Sequence, residues 1–97
     1  MGMELSDDQL VKQVAKGQMD ALKELFLRHH QAVLRVVYPV IGDQHGAEDV
    51  VQETFLAILD HAGSYKPKGR FKAWLYKIAI NIALMEKRRE RHRAHVY

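Results

Sequence analysis

An all-α fold, a compact bundle of about four helices forming one domain, is predicted by three observations on the 97-residue sequence. Apolar residues recur at helical spacing in four segments, and no alternating run of the kind a half-buried strand needs is present. The breaks between segments, at Gly17, Gly42 and the stretch 63–69, are short, as neighbouring helices of a bundle require. A chain of this length builds one small core rather than two, so the domain is expected to span residues 1–97.

The first helix is expected to open at Ser6, with Gln9 three residues on at capping-box spacing. Leu10, Val11 and Val14 form its apolar stripe, and Gly17 stops it. The second starts near Asp20, whose carboxylate suits an N-cap. Leu22, Leu25, Phe26, His29, Val33, Val36 and Val37 follow the helical period. Pro39 lacks a backbone donor and is expected to kink or end this helix, with Gly42 as the natural stop. The third helix follows Asp43 as N-cap and runs to about His61, with Ala47, Val50, Val51, Thr54, Ile58 and Ala62 on one side. After a loop dense in turn formers, the fourth runs from about Arg70 towards Arg91. Phe71, Leu75, Ile78, Ala79, Ile82 and Glu86 lie on its core side.

Composition narrows the function classes. A content of 47% hydrophobic and 28% charged residues suits a folded domain rather than a disordered chain. Without cysteine there is neither a disulfide framework nor a thiolate metal site, which fits a reducing compartment. No apolar run approaches the roughly 20 residues of a membrane span, and the early acids Glu4, Asp7 and Asp8 have the wrong charge for a signal peptide. A cytoplasmic protein is the expectation. His29 and His30 are adjacent and point to different sides of a helix, while His92 and His95 sit in a basic segment without nearby carboxylates or thiolates. There is no glycine-rich phosphate loop, and Ser6 and Ser64 occupy cap and turn positions. Neither an enzyme nor a metal or other cofactor is expected.

Charge is unevenly spread. Residues 1–60 hold 5 Lys/Arg against 10 Asp/Glu, and residues 61–97 hold 10 against 2. Such polarity suggests two partners of opposite charge, one of them a polyanion, although a solvated basic tail has the same composition. On the third helix, Asp49, Gln52, Glu53, Leu56 and Asp60 share the face opposite the core stripe, at about 100° per residue. Five acids and no Lys or Arg lie between Asp43 and Asp60. This face repels phosphate and suits a basic protein surface, with Leu56, and Phe55 at its edge, as apolar anchors. A merely solvated face would read the same way.

On the fourth helix, Trp74, Lys77, Asn81, Leu84 and Arg88 form a stripe beside the core face. Cations neutralise phosphates, an aromatic ring stacks on an exposed base, and an amide bonds a base edge. The preceding loop adds Tyr65, Lys66, Lys68 and Arg70, and a loop able to wrap one base suits capture of an extruded nucleotide. Trp74 also fits a core position. The basic end, Lys87 to Arg93, also suits the negative end of the helix dipole.

Two segments resemble one family. Ala47-Glu48-Asp49-Val50-Val51-Gln52-Glu53-Thr54-Phe55 resembles the region 2 signature with which sigma factors bind core polymerase. Phe71-Lys72-Ala73-Trp74-Leu75-Tyr76-Lys77-Ile78-Ala79-Ile80-Asn81 resembles the corresponding stretch of the extracytoplasmic-function (ECF) group of bacterial sigma factors. The spacing between them fits without a gap, and the likeness covers about residues 5–93. It implies that Asp49, Gln52, Glu53, Phe55, Leu56 and Leu59 dock on the β′ clamp helices of bacterial core RNA polymerase. It implies that Tyr65, Lys66, Lys68, Arg70, Lys72, Trp74, Lys77 and Asn81 read the non-template strand of the promoter −10 element as it opens. Lys87, Arg88, Arg89 and Arg91 would touch phosphates upstream. An anti-sigma factor is a further implied partner, and a domain serving mainly as its target is the alternative function.

Two departures accompany the resemblance. The loop reads Lys66-Pro67-Lys68-Gly69 where relatives often carry small polar or acidic residues. The resemblance also implies a helix-turn-helix domain that reads the −35 element, which is expected to lie outside these 97 residues. Primary sigma factors place a tryptophan pair where Lys77 and Ile78 stand, so strand opening is expected to depend on base capture rather than a two-ring wedge.

Overall fold

Reciprocal capping starts the chain's first regular element. Gln9 N–H donates to Ser6 Oγ at 3.1 Å, and Ser6 N–H donates to Gln9 Oε1 at 2.8 Å, satisfying two amides that the first helical turn leaves free. Residues 4–94 are described by the computed structural model; His95, weighed above with His92, lies outside them. Four helices follow one another, α1 (Asp7–Ala15), α2 (Met19–Ile41), α3 (Gln44–His61) and α4 (Phe71–Ala94), with a 3-10 turn at Ala62–Ser64. The described residues contain no strand, so the all-α expectation holds.

The stops are set by backbone chemistry. Gly17, at φ 88°, takes the left-handed conformation that ends α1. Gly17 N–H reaches Val14 O and Gln18 N–H reaches Gln13 O, the paired closure that uses up the last carbonyls. Gly42, at φ 92°, ends α2 in the same region. An end of the helix at Pro39 is corrected, since α2 continues through it to Ile41. Pro39 sits in the last turn with its ring exposed, so only one backbone bond is forgone where the helix is about to stop. Asp20 is also corrected. Gln18 holds the N-cap position, without a side-chain bond, and Asp20 lies in the first turn, where its charge suits the positive end of the dipole. Asp43 caps α3 as expected, accepting from Gly46 N–H at 2.7 Å.

One core runs through the domain. Leu10, Val11 and Val14 of α1 and Leu25, Val33, Val37 and Ile41 of α2 belong to one buried cluster, to which α3 adds Ala47, Val50, Val51, Phe55 and Ile58 with buried Thr54 among them, and the 3-10 turn adds Ala62. The contribution of α4 is narrower than expected. Phe71, Leu75, Ala79 and Ala83 are buried, whereas Ile78, Ile82 and Glu86 are half-buried. Steps of four residues, ending in two alanines, admit close approach of α4 to its neighbours and leave most of its circumference free.

Charge ties α1 to α2. Asp7 Oδ1 lies 2.9 Å from His29 Nε2 and 3.3 Å from an Arg28 guanidinium nitrogen. Arg28 Nε donates in turn to Glu24 at 3.0 Å. His29 is 6% exposed, so this carboxylate supplies the partner a buried imidazole needs.

Gly46 provides a stability test. A Cβ there would stand 2.9 Å from Ile41 Cγ2 and 3.1 Å from the capping Asp43 Oδ1, and Ile41 is a core residue. Alanine in a helix is ordinarily better than glycine by about 1 kcal/mol. Overpacking of about 1–3 kcal/mol outweighs that here, so Gly46→Ala is expected to lower unfolding free energy by about 1 kcal/mol. Urea denaturation followed by circular dichroism checks the sign.

Candidate functional site

The outer face of α3 is laid down by the burial of its inner one. With Ala47, Val50, Val51, Thr54 and Ile58 inside, Asp49, Gln52, Glu53 and Asp60 are turned to solvent. Among the described residues, no lysine or arginine pairs with Asp49, Glu53 or Asp60; His45 Nε2 comes within 4.0 Å of Asp49. Leu56 is 60% exposed and Leu59 36% exposed, an unusual outlay of leucine for a solvated face. Phe55 is corrected. At 4% exposure it belongs to the core, with its ring edge-on to Phe26 at 5.1 Å, and it is not an exposed anchor. A 3.6-residue period puts position 55 between stripe and face, and the ring turns to the buried side.

An element missed in the sequence reading adjoins this face. Met19, Leu22 and Phe26 of α2 form one wall of an open apolar groove of ≈ 410 Å³, with Gln52, Phe55 and Leu56 of α3 opposite. Leu22 and Phe26 follow the helical period of α2, and both are half-buried against the core. The signal in the sequence is Met19, three residues before Leu22 and seven before Phe26, which extends that apolar stripe to the start of α2.

The second surface is the segment 65–70 with the flank of α4. Lys66, Lys68, Arg70, Lys72, Lys77 and Asn81 are exposed. Leu84 and Arg88 extend the same stripe, also exposed. Trp74 is half-buried, its ring centroid 4.6 Å from that of Tyr65 and 5.9 Å from that of Phe71. It is therefore partly a packing residue, with Tyr65 tilted against it. Tyr65 has its hydroxyl committed as well, donating to Asp8 Oδ1. Burial first, and then the bond to Asp8, push the phenol up to about 12 from 10.0. The other oxygen of Asp8 accepts from Gly69 N–H at 2.8 Å. Nothing in the sequence pattern had marked Asp8 beyond its place in the first turn of α1.

The basic end of α4 is less free than its composition suggests. Lys87 Nζ donates to Ile41 O at 3.4 Å, at the end of α2, and to Glu90 at 3.2 Å. Arg89 and Arg93 both pair with Glu86, at 3.7 and 3.3 Å. Among the described residues, Arg88 and Arg91 have no ion-pair partner. No group of three or more potential ligands capable of holding a metal ion occurs among the described residues, and none of their helices is long and apolar enough to cross a membrane.

A family model described as Sigma-70 region 2 matches residues 25–93. The chain belongs to that family. Among proteins similar to it is the ECF RNA polymerase sigma factor SigW of Bacillus subtilis, 32% identical over 82 residues, which are 84% of this chain and 44% of that protein. The ECF RNA polymerase sigma factor SigE of Mycolicibacterium smegmatis is 41% identical over 76 residues, 77% of this chain and 29% of that protein. The chain thus spans less than half the length of these curated relatives. A solved NMR structure, the complex of an engineered region 2 of sigmaE with GTAAAA, is similar with a TM-score of 0.89 and 30% identity, covering 99% of this chain and 100% of the other. The resemblance to ECF region 2 noted in the sequence is thereby borne out, together with its all-helical architecture.

The Tyr65 phenol carries a pH prediction. Its folded pKa stands above its unfolded one, so its contribution to stability is complete below pH 10.0 and is lost as pH rises towards about 12. Tyr65→Phe removes that titration. Over this window, thermal stability is expected to fall more steeply in the parent than in the variant, as measured by melting curves at stepped pH.

Proposed function

We propose that this region 2 domain directs transcription initiation by holding core RNA polymerase on one face and the opening promoter −10 element on another. The observation that carries the reading is the likeness, over 99% of the chain, to a sigmaE region 2 solved with GTAAAA, together with an exposed basic loop and stripe on this chain. The domain positions its partners and performs no chemistry of its own, and it works in the bacterial cytoplasm, where the polymerase is.

Asp49, Gln52 and Glu53 meet the basic surface of the β′ clamp helices, with Leu56 and Leu59 as apolar anchors. The groove bounded by Met19, Leu22 and Phe26 extends this contact. An anti-sigma factor would compete for the same apolar surface. Lys66, Lys68, Arg70, Lys72 and Lys77 hold the phosphates of the non-template strand, and Asn81 bonds a base edge. Tyr65 and Trp74 contribute mainly as the wall behind the loop. Arg88 and Arg91 are the free cations for upstream phosphates, with Arg89 and Lys87 supporting them from within their own ion pairs. These roles predict binding that weakens steeply with salt.

For the protein face, Asp49→Ala with Glu53→Arg is expected to lower affinity for purified core polymerase by more than about tenfold with helicity intact. Undiminished co-purification would remove this face from the proposal. For the DNA face, a single strand selected by the parent chain from a random pool serves as the probe. Asn81→Ala is expected to cost about 1–3 kcal/mol in binding it. Equal affinity of the parent for a scrambled strand would refute sequence reading.

A further inference from the structure

We infer that Asp8 is a positioning residue for the reading loop: its carboxylate bridges Tyr65 and Gly69 and holds the segment between them in the shape that meets the strand. The inference rests on the DNA-reading role proposed above for that loop and extends it to α1, which precedes the segment matched by the family model.

The geometry is that of a staple. One carboxylate oxygen accepts from the Tyr65 hydroxyl and the other from Gly69 N–H, so a single side chain grips both ends of the loop. The loop has little else to shape it. Tyr65 N–H reaches Ala62 O at 3.2 Å, but from Lys66 to Gly69 no backbone-to-backbone bond occurs among the described residues. Gly69 is held at φ 69°, a conformation glycine enters and leaves easily, and the amide that fixes it there is the one bonded to Asp8. Tyr65 in turn lies against Trp74, and Pro67 rests over Asp8, Val11 and Lys12 across a narrow cleft. The bond is thus transmitted to both the tip and the aromatic wall. Loop ordering before binding spares the entropy that a mobile loop would lose on binding.

Charge supplies the discriminating argument. Asp8 puts an anion beside Lys66, Lys68 and Arg70, on a surface proposed to bind a polyanion. By electrostatics alone its removal should tighten DNA binding. Positioning predicts the opposite sign. Asp8→Asn keeps the side chain's shape and removes the charge: its Oδ1 can accept from Gly69 N–H only while its NH2 turns to the Tyr65 oxygen, so two charge-assisted bonds become at best two weaker neutral ones.

The test uses the full 97-residue chain as parent, Asp8→Asn, Tyr65→Phe and the double variant. The readouts are amide hydrogen exchange at Gly69, affinity for the selected single strand, and affinity for core polymerase. In Asp8→Asn, Gly69 exchange is expected to accelerate and strand affinity to fall about tenfold, as the competent loop population falls to about a tenth. Polymerase affinity, carried by α3, stays unchanged. The double variant is expected to bind no worse than the weaker single one, because both changes break the same bond. Equal or tighter strand binding by Asp8→Asn, or unaltered Gly69 exchange, overturns the inference. So does parallel loss of strand and polymerase binding, which marks a folding role only. A parent chain that does not distinguish selected from scrambled strands overturns the DNA reading instead, and Gly69 exchange then still decides whether Asp8 holds the loop.

Discussion

Close burial of one thin seam of α4 is the constraint on which the rest depends. Phe71, Leu75, Ala79 and Ala83 are the residues of that helix in the core, and they recur every four positions. A seam ending in alanines lets α4 approach its neighbours closely there, so dispersion contacts accumulate at that end without large side chains. A helix that buried a wide face would have nothing left over. Here Lys77, Asn81 and Arg88 remain in water on the same helix that closes the core, and core and surface functions coexist in a domain too small to separate them.

The same economy governs charge. Among the described residues the acids of α3 face outward unpaired by Lys or Arg, whereas the acids of α1 are turned inward and used. Asp7 binds α2 through Arg28 and His29, and Asp8 binds the loop. On α4, Glu86 and Glu90 engage three neighbouring cations. A count of charges along the chain therefore overstates the basic end and understates how much of the acidic start is structural. Partly buried pairs such as Asp7 with Arg28 are screened less by salt than the exposed α3 acids.

Local chemistry made most of the fold legible in the sequence. The Ser6–Gln9 box, the Asp43 cap and the glycine stops at Gly17 and Gly42 depend on neighbours within a few residues, and the structure bears them out. Pro39 misled because its effect depends on distance from the helix end, and Asp20 because first turn and cap attract the same residue types. Phe55 differs because it lies between stripe and face, where packing from another helix, including the edge-on ring of Phe26, decides burial. The exposure of Asp49, Gln52 and Glu53 was readable from the α3 stripe alone. Asp8 was not readable as a loop partner, since its contacts lie 57 and 61 residues away and no periodicity encodes them. The captured state of Lys87 was hidden for the same reason, because its acceptor is the Ile41 carbonyl.

No side chain from Lys66 to Arg70 enters the core. The tip of that segment can therefore be rewritten, in length of side chain or in sign, without disturbing the scaffold that carries it. Over evolutionary time such a domain can diverge at its tip while its interior stays fixed, provided that the two attachment points of the loop are kept.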